Sequence, residues 1–242
     1  MSTLSAGKTV GQYVLEQPAL SKVFEKYGID FCCGGKRPLE EVCREKGLDT
    51  VAVLQALTEA TQIPDQENID WKATNLCEMV DHIYNIHHQY LYDEMPRLSR
   101  MVNKVAKVHG VNDPRLEKLA TVYEQLVSEL TLHMMKEENV LFPYCRELEN
   151  STSAPKFHCG SIGNPIRVME NEHEQAGELL STMRALTDGY TAPEWACNTY
   201  RAMLDGLTEM EADLHQHIHE ENNILFPRAL EKFDLLSRTE GA

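Results

Sequence analysis

His133-Met-Met-Lys-Glu137-Glu-Asn-Val-Leu141-Phe142-Pro143 returns further along the chain as His217-Ile-His-Glu-Glu221-Asn-Asn-Ile-Leu225-Phe226-Pro227. Both lines read His-x-x-x-Glu, with Leu-Phe-Pro beginning four residues after the Glu. On an α-helix, residues i and i+4 lie one above the other on the same face. Each line therefore points an imidazole and a carboxylate the same way, about 6 Å apart along the axis. A single pair of this kind is an ordinary solvated contact worth about 0.2–0.5 kcal/mol. Repetition inside a matching apolar frame changes the reading, because buried His and Glu are costly without a partner. Two related helices carrying the same pair predict a metal site.

Around these lines the chain reads as four long helices. The first covers residues 74–109, and Pro96 is expected to kink or interrupt it. The second opens at Asp113-Pro114, a capping residue followed by proline at the first helical position, and runs to Glu149. Asn164-Pro165 repeats that signal and opens the third, which ends near Asp188-Gly189. Thr191-Ala-Pro-Glu194 fits a capping box and opens the fourth, which passes through the second line to Phe233. Convincing β-alternation is absent. The expected fold is all-α, with a C-terminal antiparallel four-helix bundle over 73–242. Residues 1–62 form a small N-terminal helical domain of short helices broken by glycines, and the polar stretch 63–72 reads as a linker.

The two halves of the bundle align. His88 precedes His133 by the same distance, within one residue, as His173 precedes His217. A site at the bundle centre would receive His88, His133, Glu137, His173, His217 and Glu221. Imidazole with carboxylate suits iron, zinc or manganese. Six ligands are too many for one tetrahedral zinc, but they suit two ions bridged by Glu137 and Glu221, each holding two His. With an oxygen bridge, each octahedral iron keeps about one position for water or a diatomic. A ferritin-like site would need Glu-x-x-His on two helices. Glu170-Asn-Glu-His173 is one such spacing, and no second copy accompanies it.

Neighbouring residues sort by helical geometry. His87 and His88 differ by about 100° around a helix, so only one should face the core, and the spacing match selects His88 over His87 and His82. Glu138 is expected in solvent, and His215 and His219 should face away from His217. Glu129 or Glu172 could orient a ligand, or be simple surface charge. Leu141, Phe142, Leu225 and Phe226 read as core residues that fix helix ends.

Cys32-Cys33 is a second candidate site. Adjacent cysteines close a strained ring if joined. Gly34-Gly35 leaves the backbone unhindered, and Lys36-Arg37 nearby favours thiolate. Redox exchange, transient metal binding, a protein contact and a merely structural role all fit. Cys43, Cys77, Cys145, Cys159 and Cys197 show no ligand spacing.

A formal net charge of −15 argues against nucleic acid and anionic membranes as partners. No run of about 18 apolar residues predicts a membrane span, and the first ten residues lack the apolar stretch of a signal peptide. Seven cysteines, an odd number, argue against a secreted disulfide scaffold, so a reducing cytoplasm is the expected compartment.

Phe31-Cys32-Cys33-Gly34-Gly35-Lys36, the line from His133 to Pro143, Val168-Met-Glu-Asn-Glu-His173-Glu-Gln-Ala-Gly-Glu178 and Glu221-Asn-Asn-Ile-Leu-Phe-Pro227-Arg-Ala-Leu230 together resemble the iron–sulfur cluster repair di-iron proteins, over nearly the whole length. The resemblance implies a small domain bearing the Cys pair and a hemerythrin-like bundle. It implies two non-haem iron ions, oxo- or hydroxo-bridged, on the six residues named above. It also implies a stress-response role, in which iron or electrons are supplied to iron–sulfur proteins damaged by nitric oxide or peroxide. A cytoplasmic homodimer is expected, with Cys32 and Cys33 serving a redox step or the client contact. Two rivals share the same open di-iron site: a nitric oxide reductase, and a hemerythrin-like carrier or sensor of oxygen or nitric oxide. A structural zinc bundle is a weaker one.

Overall fold

The computed structural model describes residues 6–61, 70–71 and 73–239. Four short helices come first: α1 (Val10–Glu16), α2 (Ser21–Lys26), α3 (Leu39–Lys46) and α4 (Thr50–Ala60). Thr9 and Gln12 cap α1 reciprocally, and Asp49 caps α4 through the N–H of Val51. Gly47 ends α3 with φ 66°, a left-handed conformation that glycine adopts without a Cβ clash. Tyr13, Phe24, Phe31 and Leu39 fill the core of this segment, and Ile218 of the bundle reaches into it.

Four long rods follow. The first is α5 (Leu76–Ile83), a π-turn (Tyr84–His88) and α6 (Gln89–His109); the second is α7 (Arg115–Lys136), a π-turn (Glu137–Leu141) and α8 (Phe142–Asn150). The third is α9 (Gly163–Leu186), and the fourth is α10 (Asn198–Glu220), a π-turn (Glu221–Leu225) and α11 (Phe226–Thr239). No strand occurs among the described residues, which carry a single isolated bridge between Thr9 and Pro38. None of the helices is long and apolar enough to cross a membrane. The all-α four-helix bundle expected from the sequence is the fold observed.

Several details differ from expectation. Pro96 lies inside an unbroken α6, and the irregularity falls at 84–88 instead. Helix α9 begins at Gly163, where Ser161 Oγ accepts the Gly163 N–H; Asn164 instead donates to the Cys159 carbonyl. Helix α10 begins at Asn198, so Thr191–Glu194 is loop and not a cap; the last rod continues past Phe233 to Thr239. Leu-Phe-Pro does not end either helix, because α8 and α11 carry on beyond it. The expected linker 63–72 falls mostly outside the described residues, but Trp71 is buried with Leu76 and Met79 in the bundle.

The bundle core divides into two apolar clusters. One holds Leu91, Leu130, Met134 and Leu214; the other holds Ile83, Leu141, Phe142, Leu225 and Phe226. Glu149 ties the second end together. Its Oε2 accepts the Leu76 N–H at 3.0 Å, and Oε1 pairs with Lys232 of α11. Partial burial opposes the charge, yet the Lys232 ammonium and the Leu76 N–H hold the carboxyl below its usual range. A lowered carboxylate stabilises the fold above the ordinary value of 4.5 and loses that effect as pH falls through the folded value. Glu149→Gln should therefore cost about 1–2 kcal/mol at pH 7, or roughly 2–8 °C in Tm. The gap from wild type should narrow in thermal melts run below about pH 4.5.

Candidate metal centre

The three π-turns carry His88, Glu137 and Glu221, half of the site. A π-turn is rare and concentrates at functional positions. Two of them begin at Glu137 and Glu221 and are followed by Pro143 and Pro227. Proline offers no N–H to the carbonyl four residues back and crowds it, so the helix widens just ahead of each proline. The third turn, Tyr84–His88, has no proline in it; it brings both His87 and His88 to the interior.

Six side chains converge between the two apolar clusters. His88, His133, Glu137, His173, His217 and Glu221 are all buried, none above 3 % exposed. Their donor atoms form two groups, each mutually within 4.8 Å: His88, Glu137, His217 and Glu221, and His133, Glu137, His173 and Glu221. Both carboxylates belong to both groups. Each group takes one His from each half of the repeat.

The distances fit ligand geometry. Glu137 Oε2 lies 3.4 Å from His88 Nε2 and 3.3 Å from His133 Nε2. Glu221 Oε2 lies 3.1 Å from His173 Nε2, and Oε1 lies 3.3 Å from His217 Nε2. Nitrogen and oxygen ligands about 2.1 Å from a shared ion sit about 3.0–3.4 Å from each other. Both oxygens of Glu137 and of Glu221, with Nε2 of His88 and of His217, are sequestered without a hydrogen bond. Such orphans are costly unless something pairs with them.

Three of the four outer nitrogens are held. His88 Nδ1 lies 2.8 Å from Glu138 Oε1, His133 Nδ1 lies 3.0 Å from Glu172 Oε2, and His173 Nδ1 lies 2.9 Å from Asn222 Oδ1. An N–H donated outward leaves the inner Nε2 as a lone pair. His133 and His173 then face each other Nε2 to Nε2 at 3.0 Å. Two lone pairs at that distance repel, so a proton or a cation must lie between them. Burial opposes charge on His133, yet Glu137 beside it pushes its pKa up to about 10. Burial and the facing Glu221 work against the charge on Glu137, but His133 and His88 hold its carboxyl low. The two carboxylates thus draw positive charge into the pocket, and the inward His and Glu donors suit bound cations. Phe142 stacks on His88 at 5.3 Å and Phe226 on His173 at 5.9 Å, shielding the rings.

The sequence reading misplaced several residues. Glu138 is not in solvent; it carries His88 and also accepts from Tyr92 Oη at 2.9 Å. His87 is buried as well as His88, its ring parallel to that of His217 at 5.1 Å. Glu172 is the residue that orients His133, whereas Glu129 accepts from Gln125. Glu170 pairs with Lys36. His215 and His219 do turn from the pocket, and both meet Phe31 edge-on. Asn222 was overlooked, although it occupies the same place after Glu221 as Glu138 does after Glu137. Replacing Glu138, Glu172 or Asn222 with Ala should weaken metal retention about 10–100-fold in a chelator competition, with helicity unchanged.

Cys32 and Cys33 are both free, with their sulfurs 4.0 Å apart. The surroundings of Cys32 oppose the expected thiolate. The Cys33 sulfur, burial and Asp30, which accepts from Cys32 Sγ at 3.2 Å, push its pKa well up. Lys36 and Arg37 are engaged by Glu170, Glu41 and Glu45 instead. The loop is docked on the fourth rod: Asn223 Nδ2 donates to the Cys32 carbonyl at 3.1 Å. A Cβ on Gly35 would lie 2.4 Å from the Phe31 carbonyl and 2.9 Å from Asn223 Oδ1, so only glycine permits this approach. Asp30, Cys32 and Cys33 line a cleft of about 670 Å³, with Glu174, Glu178 and His215 across from them.

Comparison with known proteins agrees with this architecture. Residues 79–229 match the hemerythrin HHE cation binding domain, and residues 6–61 match ScdA_N, a domain of unknown function (DUF542). The chain is 40% identical over 223 residues to the iron-sulfur cluster repair protein YtfE of Edwardsiella ictaluri, covering 92% of this chain and 96% of that protein. It is 38% identical over 221 residues to YtfE of Citrobacter koseri, covering 91% and 96%. With YtfE of Escherichia coli O81 it shares 39% over 222 residues, again 91% and 96%. A bundle with cation-binding geometry, a docked Cys-Cys segment and near full-length similarity together place this chain in the YtfE family of iron–sulfur cluster repair proteins, with a hemerythrin HHE cation binding domain.

Proposed function

We propose that the chain repairs damaged iron–sulfur clusters of client proteins, using two non-haem irons held by His88, His133, Glu137, His173, His217 and Glu221. The observation that carries this reading is the pair of four-residue groups that share both carboxylates, with lone pairs aimed inward at ligand spacing. When bound, the irons supply exchangeable metal and electrons, since imidazole and carboxylate ligands hold iron less tightly than a thiolate cage does.

The protein side chains do the rest. Glu138, Glu172 and Asn222 keep three imidazoles turned inward. Phe142 and Phe226 exclude water from two rings. A cavity of about 110 Å³ beside His133 and His173, with Glu129, Lys136 and Glu172 in its wall, gives a small ion or molecule access. Cys33, half-buried at the cleft, is placed to meet a client. Free cysteines throughout suit a reducing compartment such as the cytoplasm.

The test is restoration of a nitric oxide-damaged iron–sulfur protein by the iron-loaded chain under anaerobic conditions. Wild type should restore the cluster. Cys32→Ser/Cys33→Ser should keep its iron and lose most of the restoration rate. No restoration by fully loaded wild type would refute repair, and undiminished restoration by the double variant would remove the Cys pair from it.

A further inference from the structure

We infer that His82, His87 and Glu220 form a third cation site, beside the six-residue centre and nearer the surface. His82 Nε2 lies 3.3 Å and His87 Nε2 3.4 Å from the same oxygen, Glu220 Oε2. These three atoms lie mutually within 4.8 Å. The spacing repeats that of the main centre: long for hydrogen bonds, and matched to ligands about 2.1 Å from one ion. His87 is 3 % and Glu220 4 % exposed, and His87 Nε2 and Glu220 Oε2 are sequestered without a hydrogen bond.

Each donor is held from behind. Asp213 Oδ1 accepts from His87 Nδ1 at 2.9 Å, which leaves Nε2 a lone pair in the neutral ring. Gln216 Nε2 donates to Glu220 Oε1 at 2.9 Å, leaving Oε2 free. Trp71 meets the His82 ring edge-on at 5.2 Å and fixes its face. Two imidazoles and one carboxylate, with remaining positions open, suit a divalent first-row cation.

The broken symmetry of the repeat supports the site. By register, His87 stands where the other half has Glu172, and Glu220 stands where it has Lys136. There, Lys136 pairs with Glu172, which orients His133. Here, a carboxylate faces two imidazoles with no lysine to neutralise it. His87 does not bond His217 but stacks on it, 3° from parallel, so one imidazole pair separates the two sites. The His82 side chain is 23% exposed, against 4% or less for the six. Resting on the proposed function, the third site is a staging point through which iron enters or leaves the pair.

The full-length metal-free chain would be titrated with Co²⁺ in equilibrium dialysis, with the visible bands of bound Co²⁺ followed in parallel. Wild type should bind three Co²⁺ per chain, while His82→Gln and Glu220→Gln should each bind two. Iron leaving the loaded protein for a chelator should be slower in His82→Gln than in wild type. Two Co²⁺ in wild type, or three in both variants, would overturn the third site and leave the main centre standing. None or one in wild type would instead overturn both. A wild-type count below three rules the third site out even if a variant does not fold.

Discussion

Glu221→Ala should empty both metal positions, not one. Its two oxygens face different groups: Oε2 is turned to His173 and Oε1 to His217. Removing it strips each ion of a shared ligand and leaves Glu137 as the only carboxylate among four imidazoles. The charge balance then fails as well, because the pocket loses half its negative charge while every ring stays buried. His133→Ala is the informative contrast. That ring belongs only to the group with His173, so the set of His88, Glu137, His217 and Glu221 survives intact. Metal analysis after desalting, which strips the open site at His82, should give close to zero ions for Glu221→Ala, close to one for His133→Ala and two for wild type. Equal loss in the two variants would argue against shared carboxylates.

The second large effect is on stability. Without cations, the pocket buries carboxylate oxygens and imidazole nitrogens that have no hydrogen bond. The unfolded chain presents no such preformed set, so binding energy becomes folding energy. At free iron about a thousand times Kd, one site adds about 4 kcal/mol. At roughly 2–4 °C for each kcal/mol in a chain of this size, loading one site should raise Tm by about 8–16 °C, and loading both should raise it further. Loading must also displace protons, since His133 otherwise sits near a pKa of about 10 and its ligand form is neutral. Protons should therefore be released on binding, which titration calorimetry in buffers of different ionisation enthalpy would detect. A metal-free protein that melts with the loaded one would mean that the pocket is satisfied without metal.

The six central residues were legible because the chain states them twice at helical spacing. His-x-x-x-Glu fixes a face, and the matching distances from His88 and His173 fix the other two rods. The all-α bundle was legible for the same reason. What escaped was local. The π-turns at 137–141 and 221–225 are signalled by Pro143 and Pro227, a cue the sequence reading did not use, whereas the turn at 84–88 has no proline behind it and no such signal. Assuming regular 100° steps, only one of His87 and His88 could be buried; the wider turn buries both. Glu138 looked like a solvated neighbour, and Asn222 drew no notice. Extending the repeat by one residue past each Glu would have found both, since each holds the odd-rod His of its own half. The cap expected at Thr191–Glu194 failed because Arg201 binds the carbonyls of Pro193, Glu194 and Ala196, holding that stretch as a loop. Lys36 and Arg37 were near Cys32 in sequence but are taken by carboxylates in space.

The central claim is that two irons lie within one pocket between the rods. Diffraction from crystals of the iron-loaded chain, recorded on either side of the iron absorption edge, addresses it directly. The account predicts two anomalous peaks in that pocket, one beside His88 and His217 and the other beside His133 and His173, with Glu137 and Glu221 reaching both. A single peak, or iron found only at the surface, would contradict it.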